Sequence, residues 1–151
     1  MIKKIFFKLF LIILLTNCDY TPIYSVNDED RFNIEITNFE GDREINSKII
    51  SKLRVHKNES LELYQISFNT SYSKNIISKN LEGKAEEYQL DAMTSYIIIN
   101  ENFKKNFSVT ESFKMKNFED DFEEKNYEER IKENIADLNY QKIILQIKKI
   151  K

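Results

Sequence analysis

Few side chains in this sequence could carry chemistry of their own, and the first of them stands alone. Cys18 is the only cysteine among 151 residues, which excludes an internal disulfide and any zinc cluster built on cysteines, since each needs more than one sulfur in the chain. A nucleophile needs a base within hydrogen-bond reach and a group that orients the base. The single histidine, His56, has no serine or cysteine motif near it and falls at the end of an expected helix, where a favourable contact with the helix dipole is its expected role. The two glycines, Gly41 and Gly83, stand too far apart to build a phosphate-cradling loop. No catalytic residue, metal site or cofactor is expected, and the chemistry left to a lone thiol is to be modified.

The residues before Cys18 indicate the modification. Met1 to Lys4 is short and basic, and Ile5 to Leu15 is apolar except for Lys8. That is the pattern of a secretory signal, and the run is well short of the roughly 20 apolar residues that a membrane-crossing helix needs. A short uncleaved anchor or a buried first helix are the alternatives. Leu15-Thr16-Asn17-Cys18 resembles the bacterial lipobox, although Asn17 stands where Gly, Ala or Ser is usual. At such a site the thiol takes diacylglycerol, cleavage frees the amine of Cys18, and a further fatty acid such as palmitate can follow. One acyl chain gives marginal membrane residence and two or more give stable anchoring, so one cysteine suffices to tether a domain. The expected organisation is a lipoprotein signal peptide (1–17), a lipid-anchored tether (18–31) and one folded domain (32–151).

Charged residues make up 32% of the chain with both signs interspersed, and the net charge of −2 gives no reason to expect nucleic acid as a partner. Cleavage would remove Lys3, Lys4 and Lys8 and no acidic residue, leaving a mature charge of about −5. With 41% hydrophobic residues the chain can fill one core. Three Asn-x-Ser triplets, at Asn58, Asn69 and Asn106, fit the glycosylation pattern but are chance products of an Asn-rich sequence.

The elements that must carry these residues follow from periodicity. Phe32, Ile34 and Ile36 alternate with polar residues as in a half-buried strand. Gly41-Asp42 breaks that strand, and Asp42 can cap a helix of about Arg43 to His56 whose stripe is Ile45, Ile49, Ile50 and Leu53. Tyr64, Ile66, Phe68, Thr70 and Tyr72 alternate again, with a bulge or late start near Leu63, and the strand runs to about Ser78. Gly83 marks a turn. A long row from Tyr88 to Ile98 and a last row through Phe107, Val109, Phe113 and Met115 predict two more strands, paired antiparallel about a turn at Asn100-Glu101-Asn102. From about Asp120 to Lys149 the spacing predicts a helix with Tyr127, Ile131, Ile135, Leu138 and Leu145 on one face. Its acidic start (Glu119 to Glu124) and basic end fit the helix dipole, not a metal site. The order β-α-β-β-β-α predicts an α+β two-layer sandwich, a four-stranded sheet with two helices on one face.

Just after the lipobox, Cys18-Asp19-Tyr20-Thr21-Pro22-Ile23-Tyr24 contains the only proline, which stiffens the segment into a strut. This heptad resembles the mature N-terminus of the LptE family of lipopolysaccharide-assembly lipoproteins, often Cys-Gly-Phe-x-Pro-Leu-Tyr; Cys18, Pro22 and Tyr24 match it identically and Tyr20 and Ile23 conservatively, and Asp19 replaces the glycine. The element order extends the resemblance over most of the mature chain, without sharp motifs. The resemblance implies a non-enzymatic subunit, lipid-anchored on the periplasmic side of the outer membrane, that plugs and helps assemble the β-barrel LptD of the lipopolysaccharide translocon. Asp19 leaves open retention in the inner membrane, as in some bacteria with an acidic residue there. If lipopolysaccharide is handled directly, its phosphates need cations. The expected contacts are Lys104 and Lys105, placed in the turn between the last two strands, and then Lys114 and Lys116 on the polar face of the final strand. The alternatives are another small envelope-assembly lipoprotein or a periplasmic lipid-binding or enzymatic domain.

Overall fold

The computed structural model describes residues 32–149, so the expectations for the signal, the tether and Cys18 lie outside the described residues. The chain runs β1 (Asn33–Gly41), α1 (Arg43–Leu53) with a 3-10 turn (Arg54–His56), β2 (Leu63–Lys79), β3 (Ala85–Asn100), β4 (Phe103–Lys116) and α2 (Asp121–Lys148). The strands form one sheet in the order β1-β2-β3-β4. β1 lies parallel to β2 because α1 carries the chain back between them, whereas short turns make β2, β3 and β4 antiparallel neighbours. Both helices pack on one face, giving the α+β sandwich that the periodicities predict.

Alternation decides which side chains meet the helices. Tyr64, Ile66, Phe68 and Thr70 of β2 and Leu90, Ala92, Thr94, Tyr96 and Ile98 of β3 are buried in single rows, and Val109 and Met115 continue the core on β4. Leu61 and Leu63, of the opposite phase, are exposed, so the late start of β2 accounts for them. From the helices come Ile45, Ile49 and Leu53 on α1 and Ile131, Ile135, Ile143 and Ile147 on α2. Each fully buried aliphatic side chain contributes about 1.5–3 kcal/mol relative to exposure. The stripe of α2 steps by four from Ile131 through Asn139 to Ile147, and Leu145, expected on the inner face, is exposed. Ile143 and Ile147 take its place in the core.

Two local features position α1. In β1 the register slips between Ile36, opposite Ile66, and Asn38, opposite Ser67, leaving Thr37 as an extra residue. Thr37 Oγ1 donates to the Ile66 carbonyl (3.3 Å), and beyond the bulge Phe39, not Asn38, faces inward and stacks on Phe68 at 6.1 Å. At the end of β1, Gly41 has φ +94°, and a Cβ there would lie 1.9 Å from the Thr70 carbonyl oxygen. Only glycine lets the chain turn this close to β2. The next residue, Asp42, donates its N–H to that same Thr70 oxygen (2.8 Å) and caps α1 by accepting from Ile45 N at 2.9 Å. Asp120 caps α2 in the same way, accepting from Phe122 N (2.7 Å) and Glu123 N (3.2 Å).

Candidate functional site

The fold scatters the four expected lysines. Lys104 and Lys105 lie inside β4, not in the turn, which is confined to Glu101-Asn102; as consecutive strand residues they point to opposite faces. Lys104 shares the outer face with Lys114 and Lys116, but the ten strand steps from Lys104 to Lys114 separate them by roughly 33 Å. The four therefore cannot hold one phosphate group together. His56 closes the 3-10 turn that ends α1, as expected, and is buried there. Its Nε2 lies 2.7 Å from Tyr140 Oη, its ring stacks on Tyr140, and Phe32 tilts against it.

What the fold does assemble is the uncovered face of the sheet. Side chains that point away from the helices are Ser67, Asn69, Ser71, Ser73 and Asn75 on β2, Gln89, Asp91 and Ser95 on β3, and Asn106, Ser108, Thr110 and Ser112 on β4. In a chain that is 32% charged, the centre of this face carries one charge, Asp91, while Lys104 and the Lys114–Lys116 pair sit at its two ends. Short hydroxyl and amide groups ladder across the strands. Ser95 and Ser108 are 3.2 Å apart, and Asp91 Oδ1 accepts from Ser112 Oγ (2.7 Å) and Gln89 Nε2 (3.0 Å). These donors, Ser112 first, hold the Asp91 carboxyl below the ordinary carboxylate range. Met93, at the centre of the face between Ser71 and Thr110, and Ile99, toward one end, add two exposed apolar side chains. A face of short, neutral, hydrogen-bonding groups lets another polar surface approach closely without stripping water from charges.

The charges gather instead where α2 meets α1 and β2. Lys74, at an inward position of β2, donates to Glu124 Oε1 (2.6 Å) and Glu128 Oε2 (3.0 Å). Tyr72 Oη donates to Glu128 Oε1 at 2.8 Å, and Lys132 donates to Glu44 Oε2 at 2.6 Å. Each lysine also lies over a ring at 4.5 Å from its centre, Lys74 on Tyr88 and Lys132 on Tyr72. Burial works against both lysine charges, yet the hydrogen bonds and carboxylates around them outweigh it and raise both above the ordinary lysine value. Burial likewise opposes the Glu128 charge, but Lys74 and Tyr72 hold it below the usual range. Burial, and then Glu128, push the Tyr72 hydroxyl far up. A cleft of about 590 Å³ opens above this network. Its inner charges are mutually paired, so it offers little to an incoming ion and works as a clamp on α2. Lys48 and Lys52 extend the clamp to Glu133 (3.0 and 2.7 Å) and Asp137 (2.8 Å). Among the described residues no group of three His, Cys, Asp or Glu side chains could hold a metal ion.

The pattern of the chain contains one signal for this clamp. Lys74 continues the inward row Tyr64 to Tyr72, where a lysine demands a buried partner. The acidic start of α2 is explained by the dipole alone until the fold brings Glu124 onto Lys74.

No protein-family model matches this sequence, and no curated protein matches it. Solved structures do. Rare lipoprotein B from Shewanella oneidensis superposes with a TM-score of 0.55 at 11% identity, covering 77% of this chain and 98% of that one. Lipoprotein B from Nitrosomonas europaea gives 0.55 at 13% identity over 81% and 87% of the two chains. A lipoprotein from Caulobacter crescentus CB15 gives 0.50 at 16% identity over 77% and 88%. At these identities the likeness is one of fold, and the fold is one that bacterial lipoproteins carry.

Proposed function

We propose that this chain is a lipid-anchored, non-enzymatic subunit of the outer-membrane lipopolysaccharide translocon, attached through Cys18 on the periplasmic side and seated as a plug in its β-barrel partner, LptD. The observation that carries the reading is the wide sheet face of short, neutral polar side chains. A barrel lumen is lined with polar groups and water, and a plug must fit it closely while burying few charges. The lipobox-like Leu15-Thr16-Asn17-Cys18 supports the anchor, and the similarity of fold to solved lipoproteins supports the class. In this reading the sandwich is a rigid scaffold for barrel folding, and glycolipid phosphate meets either the Lys114–Lys116 end or the Lys104 end of the face.

Affinity purification of the tethered protein from native membranes, with cross-linking from cysteines placed at Ser71 and Ser108, tests the proposal. Cross-links from both positions to one β-barrel, together with a diacylated Cys18 in the mass spectrum, are expected. An unmodified Cys18 with residues 1–17 still attached, or no barrel cross-linked from either position, overturns it.

A further inference from the structure

We propose that the first half of the free edge of β1, beneath the end of α1, takes up an extended peptide segment of another protein as a fifth strand. β1 is the terminal strand of the sheet, and among the described residues none pairs with the backbone N–H and C=O groups along its outer edge. Such edges are normally blunted. β4, the other edge, has lysines near both ends, and the second half of β1 is twisted away by the bulge at Thr37. The stretch Asn33–Ile36 has no lysine and no bulge, and its one charge, Glu35, lies beside Gln65 on the face away from α1.

A cleft of about 700 Å³ lies along this stretch and is roofed by α1. That volume is within the range of about 300–1,000 Å³ typical of ligand sites. Ile34, Ile36 and Phe39 form its floor, and Ile50 and Leu53 hang over it; Phe39 is half exposed although its neighbours are core residues. A strand laid beside β1 would send every second side chain into this apolar space and cover it. The rim supplies a charge requirement. Glu35 accepts from the uncharged Gln65 amide (3.3 Å) and keeps its charge on the outer side of the rim, and Lys57 faces Glu59 at 3.9 Å. Arg54 has no acidic partner among the described residues. The occupant is therefore an extended, proline-free segment with aliphatic residues at alternate positions and a carboxylate at the end that reaches Arg54. This inference does not depend on a barrel partner.

The test uses the full-length protein in detergent micelles and a panel of blocked synthetic peptides of about seven residues. The peptides alternate Val or Ile with Thr and end in Glu at either terminus. The expected result is at least one member binding with Kd below about 1 mM. Hydrogen exchange should slow selectively at Asn33–Ile36. Arg54→Glu should weaken that peptide roughly tenfold, and a Lys-terminated version should regain the loss. Failure of every member to bind below about 1 mM overturns the proposal, as does protection appearing on β4 instead of β1, or binding indifferent to Arg54→Glu.

Discussion

Gly41 and Gly83 make a matched pair for testing what holds α1 to the sheet. Both have positive φ, +94° and +82°, but a Cβ at Gly41 would meet the Thr70 main chain at 1.9 Å, whereas at Gly83 nothing lies within 4 Å. In Gly83→Ala the cost is the left-handed backbone alone, about 1–2 kcal/mol. In Gly41→Ala the same strain is joined by displacement of β1 from β2. That displacement breaks the Asp42 N–H bond to Thr70 O, about 1 kcal/mol, and misplaces the Asp42 cap of α1, about another 1 kcal/mol. Adding the lost end of the β1–β2 pairing brings the total to about 3–5 kcal/mol. For a domain of this size each kcal/mol moves the midpoint by roughly 3–5 °C. Thermal and urea unfolding followed by circular dichroism should place Gly41→Ala about 6–15 °C below Gly83→Ala, by the same scaling. Equal destabilisation of the two variants would refute the close approach at Thr70 as the reason for glycine at 41.

Tyr96→Phe removes the donor to Asn139 Oδ1, a buried bond of 2.7 Å, and should cost about 1–3 kcal/mol by leaving that oxygen unsatisfied; urea denaturation measures it. Lys74→Met leaves Glu124 and Glu128 facing each other in a partly covered site and should destabilise by about 1–3 kcal/mol. Glu128→Gln in the same chain should recover part of that loss, which a double-mutant cycle resolves. The pH profile follows from the same residues. The lowered pKa of Glu128 contributes stability that is present above its unfolded value near 4.5 and is lost as pH falls through the folded value below it. The raised Lys74 and Lys132 contribute stability that is present below 10.5 and is lost as pH rises through their higher folded values. Urea midpoints should therefore be flat between these limits, and Glu128→Gln should flatten the acid limb.

Periodicity and turn chemistry are local, and they suffice for the elements of this protein. The inward rows of β2 and β3, the Asp42 cap, the start of α2 near Asp120 and the turns at Gly83 and Glu101-Asn102 are all legible in the chain, because strand and helix spacing depends on residues a few positions apart. The polar face was also legible in pieces, since alternation leaves Ser and Asn on one side of each strand. The bulge at Thr37 was not, for it exists only in the pairing of β1 with β2, and it reassigns the inner face from Asn38 to Phe39. The lysines divide in the same way. Lys104 and Lys105 are neighbours in sequence but belong to opposite faces once β4 begins at Phe103. Lys74, Glu128, Lys132 and Glu44 are far apart in sequence but become one ionic cluster when α2 lies down on β2 and α1. Composition and spacing thus determined which segments are strands or helices and most of the residues each would bury, Leu145 being the exception on α2. Strand order, register and the company kept by each charge were decided only when segments met, because those energies act between groups that chain distance does not bring together.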